Sequence, residues 1–120
     1  MTTTIRVRIG LLTLDSVNEM YAGKFAGKNG DTVIAAPKLD ALQRAEVDAI
    51  VYDHDHLKMF GNPVDLVVPG AARLQVAFGY GLTPAETRRL RRSGVIVCRR
   101  LRTAIRLVAR LLRHRPAAAA

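Results

Sequence analysis

Short apolar segments alternate with amphipathic, helix-compatible segments along this chain, and that alternation restricts its fold more than any other feature. Residues 5–12 start as alternating apolar and basic positions and continue as an apolar run, as expected of a strand entering a core. The other predicted strands are residues 31–36, 48–53, 74–78 and 95–98. Helical patterns separate them, which predicts a single α/β domain with a five-stranded, parallel, doubly wound sheet.

Start signals are present for the first two predicted helices. Ser16 and Glu19 have the spacing of a capping box, and Pro37 is predicted to open the second helix. Residues 54–73 contain several Gly and Pro residues, so the third helix is predicted to be short or irregular. An edge strand at residues 64–68 is the alternative for that segment.

The two helices nearest the C-terminus have the clearest patterns. Thr83, Pro84 and Glu86 combine a cap, a proline in the first turn and an acid at the third helical position. That fourth helix is predicted to end at Ser93-Gly94. Residues 101–113 form the fifth helix, with apolar residues at spacings of three and four on one side.

Length and composition are those of one globular domain. At 120 residues the chain fits a domain at residues 1–115 and a disordered tail at residues 116–120. Cys98 is the lone cysteine and lies in an apolar run, so we expect a buried, neutral thiol in a reducing compartment. No run is long enough to span a membrane and no leader pattern is visible, which predicts a cytoplasmic location without membrane insertion.

Positive charge is concentrated near the C-terminus. The formal net charge is +9, yet residues 1–87 hold eight Lys or Arg against all ten carboxylates, a net charge of −2. Residues 88–120 hold eleven Arg and no carboxylate. Such a segment attracts polyanions or an acidic protein surface.

One face of the fifth helix carries much of this charge. The arginines on that face are Arg102, Arg106, Arg110 and Arg113. No acidic residue interleaves to form the i to i+4 ion pairs that are usual on a solvated helix face, so an external partner is expected to compensate. Four arginines of the fourth helix, Arg88, Arg89, Arg91 and Arg92, are expected to join them in one broad basic surface.

The third predicted strand resembles a family motif. Residues 48–53 read DAIVYD, which resembles the response-regulator receiver family, in which an Asp and four apolar residues precede the phosphoaccepting Asp. The resemblance extends over residues 5–113 and implies a receiver or flavodoxin-like (βα)5 fold. It also implies that Asp53 occupies the phosphoacceptor position.

The residues that support phosphorylation in that family are altered here. The resemblance implies an acidic pair for Mg²⁺ after the first strand, where this chain has only Asp15. Gly79 and Tyr80 stand where the family has a Thr or Ser, and Arg99 and Arg100 stand where it has a Lys. We therefore predict no catalytic residue and no bound metal. Mg²⁺ on the weak candidates Asp15 and Asp53 would follow only if the receiver chemistry were intact.

Two further motifs have alternative interpretations. Residues 53–56 read DHDH, which suggests either a metal cluster or, as we favour, a polar loop at the carboxyl end of a strand. Residues 79–81 read GYG before a helix start, which suggests a phosphate cradle or, as we favour, a plain turn.

Three functions are compatible with the sequence. The first is a non-catalytic, receiver-like signalling module that binds an acidic protein, or a second copy of itself, through the surface of the fourth helix, fifth strand and fifth helix. The second is a phosphorylatable receiver that uses Asp53. The third is a nucleic-acid-binding accessory protein that uses the C-terminal arginines.

Overall fold

The computed structural model describes residues 7–13, 32–54, 57 and 72–114, except for the side chains of residues 113 and 114. In this part of the chain, five strands form one parallel sheet in the order β2-β1-β3-β4-β5. The strands are β1 (Arg8–Leu12), β2 (Thr32–Ala36), β3 (Ala49–Asp53), β4 (Leu74–Phe78) and β5 (Ile96–Cys98). The flavodoxin-like, doubly wound sheet predicted from the sequence is thereby confirmed.

Three helices lie in the described residues: α1 (Leu39–Arg44), α2 (Pro84–Arg92) and α3 (Leu101–His114). The helices α2 and α3 correspond to the predicted fourth and fifth helices. The predicted first helix, the 64–68 segment and the 116–120 tail lie outside the described residues. In the described part of the chain, no helix combines the length and the apolar character needed to cross a membrane.

The helix α3 covers one face of the sheet. Its residues Leu101, Ala104, Ile105, Val108 and Leu112 pack in one cluster with side chains of β1, β3 and β4. Those five residues have the three- and four-residue spacing predicted for the apolar side. Burying a Leu or Ile side chain contributes about 1.5–3 kcal/mol, so this face of α3 is committed to the core.

The helices α1 and α2 cover the opposite face. Leu42 of α1 and Leu90 of α2 belong to a second buried cluster with Leu12, Ile50 and Tyr52 of the sheet. The close approach of α1 suits a glycine at residue 10, because a Cβ there would lie 3.1 Å from side-chain carbons of both Leu42 and Val47, and these side chains would have to shift by a few tenths of an ångström. Helices on both faces explain why the central strands are almost continuously apolar.

Both ends of α2 are capped as its sequence predicts. Thr83 and Glu86 form a reciprocal capping box. At the other end Gly94 has a φ of +83°, its N–H donates to Arg91 O at 3.0 Å, and Val95 N–H donates to Leu90 O at 3.0 Å. This is a Schellman motif, in which a left-handed glycine turns the chain from α2 into β5.

Element boundaries differ from the predicted ones by one or two residues. Pro37 does not open α1, because Lys38 is still extended (φ −127°) and acts as the N-cap residue. Asp48 precedes β3, and its carboxylate accepts a hydrogen bond from Arg8 N at 2.9 Å. Strand β5 begins at Ile96 instead of Val95, which packs on Leu90 in the second cluster.

Candidate functional site

The carboxyl ends of the strands place four segments at one edge of the sheet. Thr13 follows β1, Asp53 ends β3, Gly79 follows β4, and Arg99 follows β5. The strand order reverses between β1 and β3, so Thr13 and Asp53 lie at the topological switch point where open α/β sheets usually bind ligands.

Asp53 and Thr13 form a buried pair at the switch point. The hydroxyl of Thr13 donates to Asp53 Oδ2 at 2.7 Å. Asp53 has no exposed surface and Thr13 is 5% exposed. The Thr13 N–H donates to Ala36 O at 3.1 Å, which holds the residue against the end of β2. The first residue after β1 is thus a hydroxyl donor bonded to the carboxylate that ends β3.

The structure does not bring a metal-binding group together in its described residues. Within these residues, no three His, Cys, Asp or Glu side chains converge on one point. The candidates Asp15, Asp55 and His56 lie outside the described residues. Of the predicted metal and phosphorylation candidates, the described residues include Asp53, His54, Arg99 and Arg100, at the ends of β3 and β5.

His54 is the one histidine of the DHDH motif that lies in the described residues. It is fully buried directly after β3. Its ring stacks on Tyr52, with 6.0 Å between ring centroids and 15° between ring planes. The Tyr52 hydroxyl in turn donates to the side-chain oxygen of Gln75 on β4. Residues 52–54 are therefore packed in the interior at the carboxyl end of β3.

The turn after β4 and the turn after β5 are joined by a side-chain hydrogen bond. Arg100 Nε donates to the Tyr80 hydroxyl at 2.6 Å. Tyr80 is 64% exposed, although it is a large aromatic residue. Gly79 N–H donates to Cys98 O at 3.2 Å, which continues the pairing of β4 with β5. The GYG segment is thus a turn that presents an exposed tyrosine beside an arginine.

A groove of about 680 Å³ lies between α2 and β5. Its helical side is formed by Pro84, Thr87, Arg88 and Arg91, which follow one stripe of α2. Its strand side is formed by Val97, Cys98 and Arg99, and Gly79, Tyr80 and Leu82 complete its lining. We call Arg88, Arg91 and Arg99 the α2 patch, since all three are exposed cations that line this groove.

A second open groove, of about 800 Å³, lies on the outer side of α3. Its lining consists of Arg100, Arg102, Thr103, Arg106, Leu107 and Arg110. The four arginines are exposed, and we call them the α3 patch. Arg102, Arg106 and Arg110 repeat every fourth residue, so their like charges lie side by side and repel.

The α2 patch and the α3 patch lie on opposite faces of the sheet. The helices α2 and α3 cover opposite faces of the sheet, so their outer surfaces point away from one another. The patches meet at the carboxyl end of β5, where Tyr80 of the first groove is bonded to Arg100 of the second. Arg89 and Arg92 are exposed on α2 but do not line the groove, and the Arg113 side chain lies outside the described residues.

Cys98 is only half-buried, although the sequence predicted a core residue. It packs partly on the cluster beneath α3 and also lines the α2 groove. Burial raises the pKa of its thiol, so the thiol is neutral near pH 7, as expected.

Sequence reasoning missed the contacts of two residues at this edge. Thr13 is the hydrogen-bond partner of Asp53, and the sequence feature that could have identified it is its position immediately after the apolar run of β1. Tyr80 is the exposed aromatic residue whose hydroxyl is bonded to Arg100. The sequence feature that could have identified it as exposed is its position between two glycines in a predicted turn.

Comparison with protein-family models, curated proteins and solved structures finds no significant match for this chain. The fold and the site together define a parallel, flavodoxin-like α/β domain with a buried hydroxyl–carboxylate pair at its switch point and two arginine patches beside its β5 edge.

Proposed function

We propose that this chain is a non-catalytic, receiver-like interaction module that binds an acidic protein surface through the α2 and α3 patches. One observation carries the proposal. The apolar face of α3 is buried in the core, while Arg102, Arg106 and Arg110 are exposed on its outer side. Among the described residues, none of the carboxylates forms an ion pair with these three arginines.

The arrangement of α3 favours a protein over a membrane. A helix that lies on a membrane inserts its apolar face between the lipids. In this chain that face packs on β1, β3 and β4, so only cationic side chains remain for binding. Arginine forms planar, bidentate pairs with carboxylates, and Tyr and Arg are enriched where interfaces derive most of their affinity. Tyr80 bonded to Arg100 is such a combination.

Nucleic acid is the main competing partner, because phosphates also pair with arginine. Proteins that bind single strands usually stack successive bases on several aromatic side chains, whereas Tyr80 is the single aromatic residue that lines the two grooves. Duplex binding does not need stacking and depends steeply on salt. A salt series with duplex DNA therefore separates this alternative from a protein partner.

A working phosphoacceptor at Asp53 is supported less well. The carboxylate is fully buried, one of its oxygens accepts a hydrogen bond from Thr13, and Gly79 stands where the resemblance implies a hydroxyl residue. Phosphoryl transfer needs an accessible oxygen and groups that stabilise the developing charge.

Charge reversal on α3 tests the proposal. The variant Arg102→Glu/Arg106→Glu/Arg110→Glu is compared with a control, Lys38→Glu/Arg44→Glu/Arg73→Glu, which reverses three exposed cations outside both patches. Both variants carry the same net charge. In pull-downs from nuclease-treated lysate, we expect the wild type and the control to retain the same acidic protein and the α3 variant to lose it. Equal retention by all three would contradict the proposal.

Self-association is tested in the same variants. If the partner is the segment of residues 1–87 in a second copy, which has a net charge of −2, the wild type sediments as a dimer and the α3 variant as a monomer. A monomer in both cases leaves an acidic protein of another kind as the partner.

A further inference from the structure

The strand β5 offers a sheet edge that lies between the two arginine patches. It is the last strand in the order β2-β1-β3-β4-β5 and pairs with β4 on one side only, among the residues that the structure describes. The side chains of Ile96, Val97 and Cys98 are all half-buried, so α2 and α3 cover the two faces of the strand only in part. An open edge of this kind can pair with a further extended chain.

The direction of the backbone groups identifies the residue that a further strand would use. Cys98 O accepts a hydrogen bond from Gly79 N–H at 3.2 Å, so the polar backbone groups of Cys98 point toward β4. Backbone groups of successive residues in a strand point to opposite edges. The N–H and C=O of Val97 therefore point outward, away from β4.

The positions of the patches determine which side chains such a strand would need. The α2 patch lies on one face of the sheet and the α3 patch on the other, with β5 between them. Successive side chains of an added strand would point alternately to those two faces. Since both faces present arginines, acidic residues at adjacent positions would all meet cations.

We propose that an extended acidic segment of the partner adds to β5 as a sixth strand, with hydrogen bonds to Val97 and with carboxylates directed to both patches. The inference rests on the proposed function and specifies that the acidic partner binds as an extended strand. The groove determines how many residues of the acidic segment lie along it. The stripe of α2 from Pro84 to Arg91 is about 10 Å long, which matches about three residues of an extended chain. A second copy pairing β5 with β5 would place like charges together, which disfavours that occupant.

Fluorescein-labelled hexaglutamate peptides test the added strand, with binding measured by fluorescence anisotropy on the full chain. One peptide has no N-methyl groups, one is N-methylated at alternate residues, and one is N-methylated at every residue. All three have the same charge. Alternate methylation leaves one edge of the peptide able to pair, so we expect the affinity of that peptide to stay within about threefold of the unmethylated peptide. We expect the fully methylated peptide to bind at least about tenfold more weakly than the unmethylated one.

Equal binding of the three peptides would overturn the added strand while leaving the acidic-partner proposal intact. If none of them binds and the α3 charge reversal also leaves capture of acidic protein unchanged, the proposed function fails as well. Tighter binding of a single-stranded DNA oligomer than of any peptide would assign the surface to nucleic acid and also overturn the inference.

A variant of β5 provides an independent readout. Val97→Pro removes the outward N–H, and proline is tolerated on edge strands where that N–H faces solvent. With Val97→Ala as the control for the side chain, we expect the proline variant to weaken the unmethylated peptide at least about fivefold more than alanine does. Equal weakening of peptide binding by the two substitutions would contradict hydrogen bonding to Val97. If the proline variant does not fold, the comparison of the three peptides still tests the added strand.

Discussion

The Thr13 hydroxyl donates a hydrogen bond of 2.7 Å to Asp53 Oδ2, between the ends of two neighbouring strands. Both residues are buried. The hydrogen bond joins the end of β1 to the end of β3, and we expect it to stabilise the fold.

Removing the Thr13 hydroxyl is expected to destabilise the domain. Thr13→Val preserves the shape of the side chain but leaves the buried Asp53 carboxylate with one donor fewer. We expect the free energy of unfolding in urea to fall by about 1–3 kcal/mol. Thr13→Ser keeps the hydroxyl and should stay within about 1 kcal/mol of the wild type. A valine variant as stable as the wild type would show that the hydrogen bond contributes nothing.

Asp53 is expected to resist phosphorylation. After incubation with Mg²⁺ and acetyl phosphate, intact-mass measurement should show no stable modification, because the carboxylate is buried and bonded to Thr13. A receiver with the complete acidic pair provides the positive control. A phosphoryl adduct mapped to Asp53 would promote the phosphorylatable receiver over the non-catalytic module.

Gly94 is expected to tolerate no side chain without loss of stability. Its φ of +83° lies in the left-handed region, so Gly94→Ala should lower the free energy of unfolding by about 1–2 kcal/mol. Ser93→Ala is the neighbouring control, since it removes only an exposed hydroxyl contact to Arg89 O, and should change stability by about 0.5 kcal/mol or less. Equal effects of the two substitutions would argue against the Schellman motif.

The Cys98 thiol is expected to react slowly in the folded protein. Because burial raises its pKa, little thiolate is present near pH 8, and iodoacetamide should alkylate it at least about tenfold more slowly than in the guanidinium-unfolded chain. The unfolded chain ionises first as pH rises. The thiol's contribution to stability is therefore complete below its ordinary pKa and is lost as pH rises through the raised one. A native rate equal to the unfolded rate would contradict this environment.

Much of the fold could be predicted because its signals are local. Residues 74–78 are apolar except for Gln75 and are the observed β4. The capping box at Thr83 and the left-handed Gly94 fix both ends of α2 through contacts within a few residues. The start of α1 was misplaced because Pro37 suits both a first helical turn and the extended segment that precedes one.

The site was harder to predict because its contacts join distant parts of the chain. Thr13 and Asp53 are 40 residues apart, and Tyr80 and Arg100 are 20 apart, so neither pair follows from spacing. The arginines themselves were evident in the sequence. Their division into two patches depends on which face of the sheet α2 and α3 cover, and only the packing of Leu90 and Ile105 in different clusters reveals it.

The affinity of the captured acidic protein for the wild type and for the two charge-reversal variants tests the central claim most directly. Isothermal titration at physiological salt should give at least about tenfold weaker binding for Arg102→Glu/Arg106→Glu/Arg110→Glu and a change of about twofold or less for Lys38→Glu/Arg44→Glu/Arg73→Glu. Equal weakening of both variants would show that only net charge matters, and would contradict a binding site on the α3 patch.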